Sequence, residues 1–168
     1  MTYREIYQEG VKVLTEAAIA EAALDARLLL EYVCKTDRNT LLAHGDREVT
    51  GEEQEQYLET IARRAAHVPL QHITGEQEFM GLTFAVNSKV LVPRQDTEVL
   101  VEEAKKHIMP GCRLLDVCTG SGCILLSLLA ECKDRIAMAL GVDISKDALQ
   151  VAIANGNRLE LPAEFRES

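Results

Sequence analysis

A chain of 168 residues with 47% hydrophobic and 27% charged side chains holds one domain or two small ones, with a core that needs no disulfide or metal staple. Its net charge of −9, the excess of acid spread over both halves, offers no basic face for counterion-driven binding, so no direct nucleic-acid contact is expected. No apolar run reaches the roughly 20 residues that cross a bilayer, and Met1-Thr2-Tyr3-Arg4-Glu5 lacks an apolar signal core, so no membrane role and a cytoplasmic location are expected.

Residues 1–75 read as helices. Thr2-Tyr3-Arg4-Glu5 and Thr50-Gly51-Glu52-Glu53 both fit the capping box, in which a hydroxyl and a carboxylate satisfy orphan N–H groups at a helix start. After the first box, Ile6, Gly10, Val13, Leu14 and Ala17 follow helical spacing. Ala22 to Cys34 reads as a long helix with Leu24, Leu28 and Tyr32 on its apolar stripe, and Asp37 suits the cap of a short helix through Leu42. After the second box, Leu58, Ile61, Ala62 and Ala65 mark another buried stripe. Pro69 suits a helix's first turn and Gly75 its stop. Short helices of this kind make a bundle.

The period then changes. Gln77-Glu78-Phe79, Met80-Gly81 and Leu82 to Val86 read as a β-hairpin with Phe79, Leu82 and Phe84 on one face. Val90-Leu91-Val92 reads as a further short strand. Pro93 to Glu98 ends it and starts a helix to about His107, which Pro110-Gly111 closes.

Leu114-Leu115-Asp116-Val117-Cys118-Thr119-Gly120-Ser121-Gly122-Cys123 is the most informative stretch. An apolar strand ends near an acid, turns through a glycine-containing loop and enters an apolar helix. That order presents backbone N–H groups at a helix N-terminus, where an anionic group can bind. Gly141-Val142-Asp143 is a second apolar run ending in an acid, the place where ribose hydroxyls are held. The pair reads as the first half of a nucleoside-cofactor site. The dinucleotide pattern requires a third glycine, but Gly122 is followed by Cys123, Ile124 and Leu125. The Asp116 carboxylate repels phosphates and suits a ligand bearing a sulfonium or ammonium. S-adenosylmethionine is therefore favoured over NAD. Lys146 to Asn155 reads as the next helix.

Five cysteines without a C-x-x-C pair read as reduced small apolar fillers. The four histidines show no metal-ligand spacing, and no metal site is expected.

With these residues in hand, the chain resembles the peptide chain release factor N5-glutamine methyltransferases over essentially its whole length. Pro69-Leu70-Gln71-His72-Ile73-Thr74-Gly75, Glu78-Phe79-Met80-Gly81-Leu82, Leu91 to Glu98 and Leu115 to Gly122 are similar to that family's segments, in order and spacing. The resemblance implies an α/β architecture: a helical release-factor-binding bundle over 1–75, a β-hairpin linker over 76–95, and the first part of a Rossmann-like class I methyltransferase domain over 96–168. It implies methylation of the side-chain amide nitrogen of the glutamine in a release factor's Gly-Gly-Gln motif. By position, Cys118, Thr119, Gly120, Ser121 and Gly122 would line the methionine part of the cofactor and Asp143 its ribose. Arg94, Asp96 and Thr97 match a segment near that site.

The family's Asn-Pro-Pro-Tyr motif, whose acceptors aim the amide nitrogen at the methyl, does not occur here. The chain therefore reads as the N-terminal portion of a longer enzyme, with two core strands, an exposed apolar edge and face beside Val117 and Val142, and no catalysis as given. Two alternatives stand beside this reading. One is an adenine amino-methyltransferase acting on nucleic acid; the other is a binding module that holds release factor without chemistry.

Overall fold

In the computed structural model, which describes residues 1–168, the chain divides into two compact units, Met1–Thr74 and Gly75–Ser168. The first is helical throughout: α1 (Tyr3–Glu16), α2 (Ala22–Cys34), α3 (Arg38–Ala43), α4 (Gly51–Ala65) and α5 (Leu70–Thr74). Both capping boxes form. Thr2 Oγ1 accepts from Glu5 N–H and Glu5 returns the bond to Thr2 N–H, and Thr50 and Glu53 repeat the exchange. Asp37 caps α3 by accepting from Thr40 N–H at 2.8 Å.

The bundle core is built on Tyr3, Ile6, Leu14, Leu29, Leu30, Tyr57 and Ile61. Tyr57 donates its hydroxyl to the Ala26 carbonyl at 3.1 Å. Its ring occupies the space where a side chain at Gly10 would stand, and a Cβ there would meet Tyr57 Cζ at 2.9 Å. That explains a glycine in mid-helix, where it otherwise costs about 1 kcal/mol. The charged pair Arg64 Nε–Asp25 Oδ2, 2.7 Å apart, ties α4 to α2 from a nearly buried position.

The inward face of α2 differs from the expected Leu24–Leu28–Tyr32 stripe. Ala22, Asp25, Ala26, Leu29, Leu30 and Val33 are buried, whereas Leu24 is 40% exposed. The helix turns so that Asp25 meets Arg64 and the Ala26 carbonyl meets Tyr57. In α4, Ala62 likewise faces solvent while Tyr57 and Thr60 are buried.

The second unit begins with the hairpin β1 (Glu76–Phe79) and β2 (Leu82–Ala85), joined by the two-residue turn Met80-Gly81, both at positive φ. Such turns match the strands' own twist. Phe79 and Phe84 meet edge to face, centroids 6.2 Å apart, in a core shared with α7. The hairpin, expected as a linker, is thus packed into the second unit. Val90-Leu91-Val92 forms no strand. Val90 N–H closes a turn onto the Asn87 carbonyl, Val90 packs with Val86, Ala148 and Val151, and Leu91 is exposed.

There follow α6 (Gln95–Lys105), β3 (Cys112–Val117), α7 (Cys123–Cys132), a short 3-10 turn, β4 (Ile136–Asp143), α8 (Lys146–Arg158) and β5 (Glu164–Glu167). The three strands form a parallel sheet in the order β3-β4-β5. A third strand is therefore present where two were expected, and β4 is central. Its signal was invisible because Glu-Phe-Arg-Glu carries one apolar residue. Phe165 is that residue and packs into the core beneath the sheet. Alternation along β3 and β4 buries Ala139, half-buries Leu114 against the core and leaves Leu115, Val117 and Met138 exposed on the other face. No helix is long and apolar enough to cross a membrane.

Candidate cofactor loop

β3 and β4 run parallel, with Val117 paired to Val142, so the loop after β3 and Asp143 at the end of β4 emerge at the same, carboxyl, end of the sheet. Ligands of open α/β sheets bind at that end. The loop reverses direction through left-handed backbone at Cys118 (φ 61°), Gly120 (φ 56°) and Gly122 (φ 78°). Gly122 is required twice over. It holds the left-handed N-cap of α7, and a Cβ on it would press on Leu126, Ala152 and Phe165 at 3.2–3.4 Å. Gly141 is crowded as well, since a Cβ there would stand 2.7 Å from Phe165 and 2.9 Å from Thr119 Oγ1.

Asp143 receives Gly120 N–H on Oδ2 and Ser145 N–H on Oδ1, both at 3.0 Å. A carboxylate has about four acceptor positions, so each oxygen keeps capacity for a further donor while the two backbone bonds fix its direction. Thr119 N–H donates to the Val142 carbonyl and Gly122 N–H to the Thr119 carbonyl. Thr119 Oγ1 donates to Asp116 Oδ2 at 2.7 Å. Burial pushes the Asp116 carboxyl above its ordinary value; the Thr119 hydroxyl and Leu125 N–H oppose the rise, and the charge of Asp143 adds to it.

These bonds engage part of the loop's set of N–H groups within the protein itself. Those of Thr119, Gly120 and Gly122 are spent within the protein, and Asp116 faces the first turn of α7 through Leu125 N–H. Two carboxylates stand at this end of the sheet, able to accept hydroxyl donors and to favour a cation.

The structure brings Asp116, Thr119, Gly120 and Asp143 into one hydrogen-bonded group. Ser121 and Gly122 are buried behind it, and Cys118 is exposed at the turn. Arg94, Asp96 and Thr97 lie at the N-terminal end of α6 and make no hydrogen bond or ion pair with this group. Pattern reading missed Asn155. Fully buried on α8, it accepts Ala85 N–H at 2.7 Å and donates to the Ala85 and Ser121 carbonyls at 3.1 and 2.9 Å. One side chain thereby fixes the hairpin to the back of the loop. Its only sequence signal is a lone amide on an apolar helix face. Phe165, which fills the space above Gly141 and Gly122, carried no signal.

Comparison with known proteins places these features. Residues 5–75 match the family model described as the PrmC N-terminal domain. The whole chain is similar to a release factor glutamine methyltransferase of Koribacter versatilis, 43% identical over 170 residues, covering 100% of this chain and 60% of that protein. A protein of the same name from Moorella thermoacetica is 41% identical, covering 97% of this chain and 58% of its own length. The chain thus spans about three fifths of the length of these relatives. Among solved structures it is similar to the Pyrococcus abyssi tRNA (uracil-54, C5)-methyltransferase in complex with S-adenosyl-L-homocysteine, with a TM-score of 0.46 and 17% identity over 55% of this chain and 23% of that one.

Proposed function

We propose that this chain, which resembles the release factor glutamine methyltransferases from end to end, serves their reaction: methyl transfer from S-adenosylmethionine to the side-chain amide nitrogen of the glutamine in a release factor's Gly-Gly-Gln motif. The helical residues 1–75 dock the release factor, the hairpin segment 76–95 joins them to the rest, and residues 96–168 hold the cofactor. Asp143 accepts the ribose hydroxyls, and Cys118 to Gly122 line the methionine portion. Arg94, Asp96 and Thr97 approach the same ligand from the start of α6 once it is bound.

The cofactor supplies a methyl group on a sulfonium, an electrophile ready for attack. The protein's own contribution is electrostatic and positional. Asp116 and Asp143 set a negative field that favours a cation over a phosphate. Backbone bonds from Gly120 and Ser145 hold Asp143 in place before any ligand arrives, so little ordering is left to be done on binding. The single observation that carries this reading is the loop's hydrogen bonding. The N–H groups of Thr119, Gly120 and Gly122 are occupied within the protein, and the side chains at the loop's end of the sheet include two carboxylates, an arrangement that disfavours a pyrophosphate.

A primary amide is a poor nucleophile because its lone pair is delocalised, and the acceptors that would aim it, an Asn-Pro-Pro-Tyr motif, are not among these residues. The 168-residue chain by itself is therefore expected to bind cofactor and release factor without transferring methyl. Titration calorimetry with S-adenosylmethionine tests the site. Asp143→Ala removes charge-assisted bonds worth roughly 1.5–3 kcal/mol each, and affinity should fall at least about tenfold. Unchanged affinity, or preferential binding of NAD, sinks the cofactor assignment. Labelled methyl appearing in DNA instead of release factor would make the enzyme an adenine amino-methyltransferase.

A further inference from the structure

The helical unit contains a groove of about 490 Å³ between the first turns of α1, the middle of α2 and the short helix α3. Its lining includes three arginines, Arg4, Arg27 and Arg38, and no carboxylate. That is notable in a chain with 27 acidic and 18 basic residues. Arg27 is engaged by Glu31 at 2.7 Å. Arg4 and Arg38 have no carboxylate partner.

The groove is built rather than incidental. Arg4 N–H donates to the Gly45 carbonyl at 3.0 Å, and the Arg4 guanidinium lies across the same glycine, 3.3 Å from where a Cβ would stand. Tyr7 closes the floor, its hydroxyl donated to the Ala23 carbonyl at 3.2 Å. Beside the arginines, Leu42 is 71% exposed. Free guanidiniums next to a bare leucine form a surface for a ligand that is both anionic and apolar. A small anion has no use for Leu42, and a nucleic acid would meet the acidic remainder of the chain.

We propose that this groove docks an acidic segment of the release factor, its carboxylates meeting Arg4 and Arg38 and an apolar side chain covering Leu42. The proposal rests on the function proposed above. Complementary charge would speed and orient the encounter, and the guanidinium fork suits carboxylates with two parallel bonds.

The test uses the full 168-residue chain and two probes. One is purified release factor; the other is a fluorescein-labelled peptide alternating Glu, Asp and Leu, with a Gln-for-acid version as its control. The variants are the double substitution Arg4→Glu with Arg38→Glu, and Leu42→Asp. Arg4 and Arg38 are exposed residues in the first turns of α1 and α3, where an acid is favourable to the helix, so circular dichroism should be unchanged. Both probes should bind the parent chain, more weakly at 300 mM than at 50 mM salt. Charge reversal should lower both affinities at least about tenfold, and Leu42→Asp should also weaken them. Release factor bound equally by parent and variants overturns the groove and leaves the proposed function standing. Peptide bound and lost on charge reversal, with release factor not bound at all, supports an acidic-segment groove and overturns the release factor as its occupant. Binding of the Gln control as tightly as the acidic peptide, or of neither probe, overturns the groove itself.

Discussion

The helical unit and the sheet unit differ in how much of their fixing is local in sequence and in how completely they cover their apolar surface. In residues 1–74 local caps combine with tertiary ties between α2 and α4, Tyr57 to the Ala26 carbonyl across 31 residues and Arg64 to Asp25 across 39. Two capping boxes start α1 and α4, and the buried face of each helix meets a neighbour. In residues 75–168 the fixings span long separations: Asn155 reaches Ala85 across 70 residues and Ser121 across 34, and Asp143 reaches Gly120 across 23. One face of the sheet also stays bare, with Leu115 63% and Val117 64% exposed. Local helices gain stability turn by turn, whereas a parallel sheet gains it only after distant segments have met. The helical unit should therefore be the more protected of the two in native-state hydrogen exchange.

Asn155→Leu should break that contrast most sharply. It leaves the Ala85 N–H and two carbonyls without their buried partner, at about 1–3 kcal/mol for each unsatisfied group. Hydrogen exchange should collapse in β3, β4 and the hairpin while α1, α2 and α4 keep their protection. Loss of protection in both units alike would show that they fold as one.

Asp25→Ala tests the other side. It strands Arg64 in a mostly buried position, and removing one partner of such a pair costs about 3 kcal/mol. Denaturant melting followed by helix signal should shift, with exchange in the sheet unaffected. Thr50→Ala removes only the cap of α4 and should cost about 1 kcal/mol by the same measurement; a cost above that of Asp25→Ala would reverse the ranking of local against tertiary fixings. Val117→Lys should alter stability by no more than about 0.5 kcal/mol, as for other exposed sites. It should also lower concentration-dependent association in sedimentation, because it interrupts the bare apolar face.

Each misreading of the sequence has a physical cause. In α2, Leu24 and Leu28 are as apolar as Leu29 and Leu30, so periodicity alone does not choose between overlapping stripes. The choice was made by Asp25 seeking Arg64 and by the Ala26 carbonyl receiving Tyr57. Val90-Leu91-Val92 has the composition of a strand but no neighbour to pair with, so Val90 alone turns into a local cluster with α8 while Leu91 stays exposed. The strand Glu164–Glu167 has the composition of a loop yet pairs because β4 presents a free row of backbone partners.

The loop was legible as far as its residues went. Asp116, the glycines and Asp143 could be identified as a group because strand, turn and helix signals are local. That Asp143 takes the N–H groups of Gly120 and Ser145 depended on where two parallel strands end in space.

The sequence alone determined what lies within a few residues of itself: the caps at Thr2 and Thr50, the hairpin turn at Met80-Gly81, the break at Pro93, and the order of strand, loop and helix around Gly122. Those signals act through neighbouring backbone groups, and no distant partner alters them. The tertiary structure decided which face of α2 is buried, that Phe165 fills the space over Gly141, and that Asn155 clasps the hairpin to the loop. Such contacts form only when segments far apart in the chain compete for the same space and the same buried hydrogen-bonding groups.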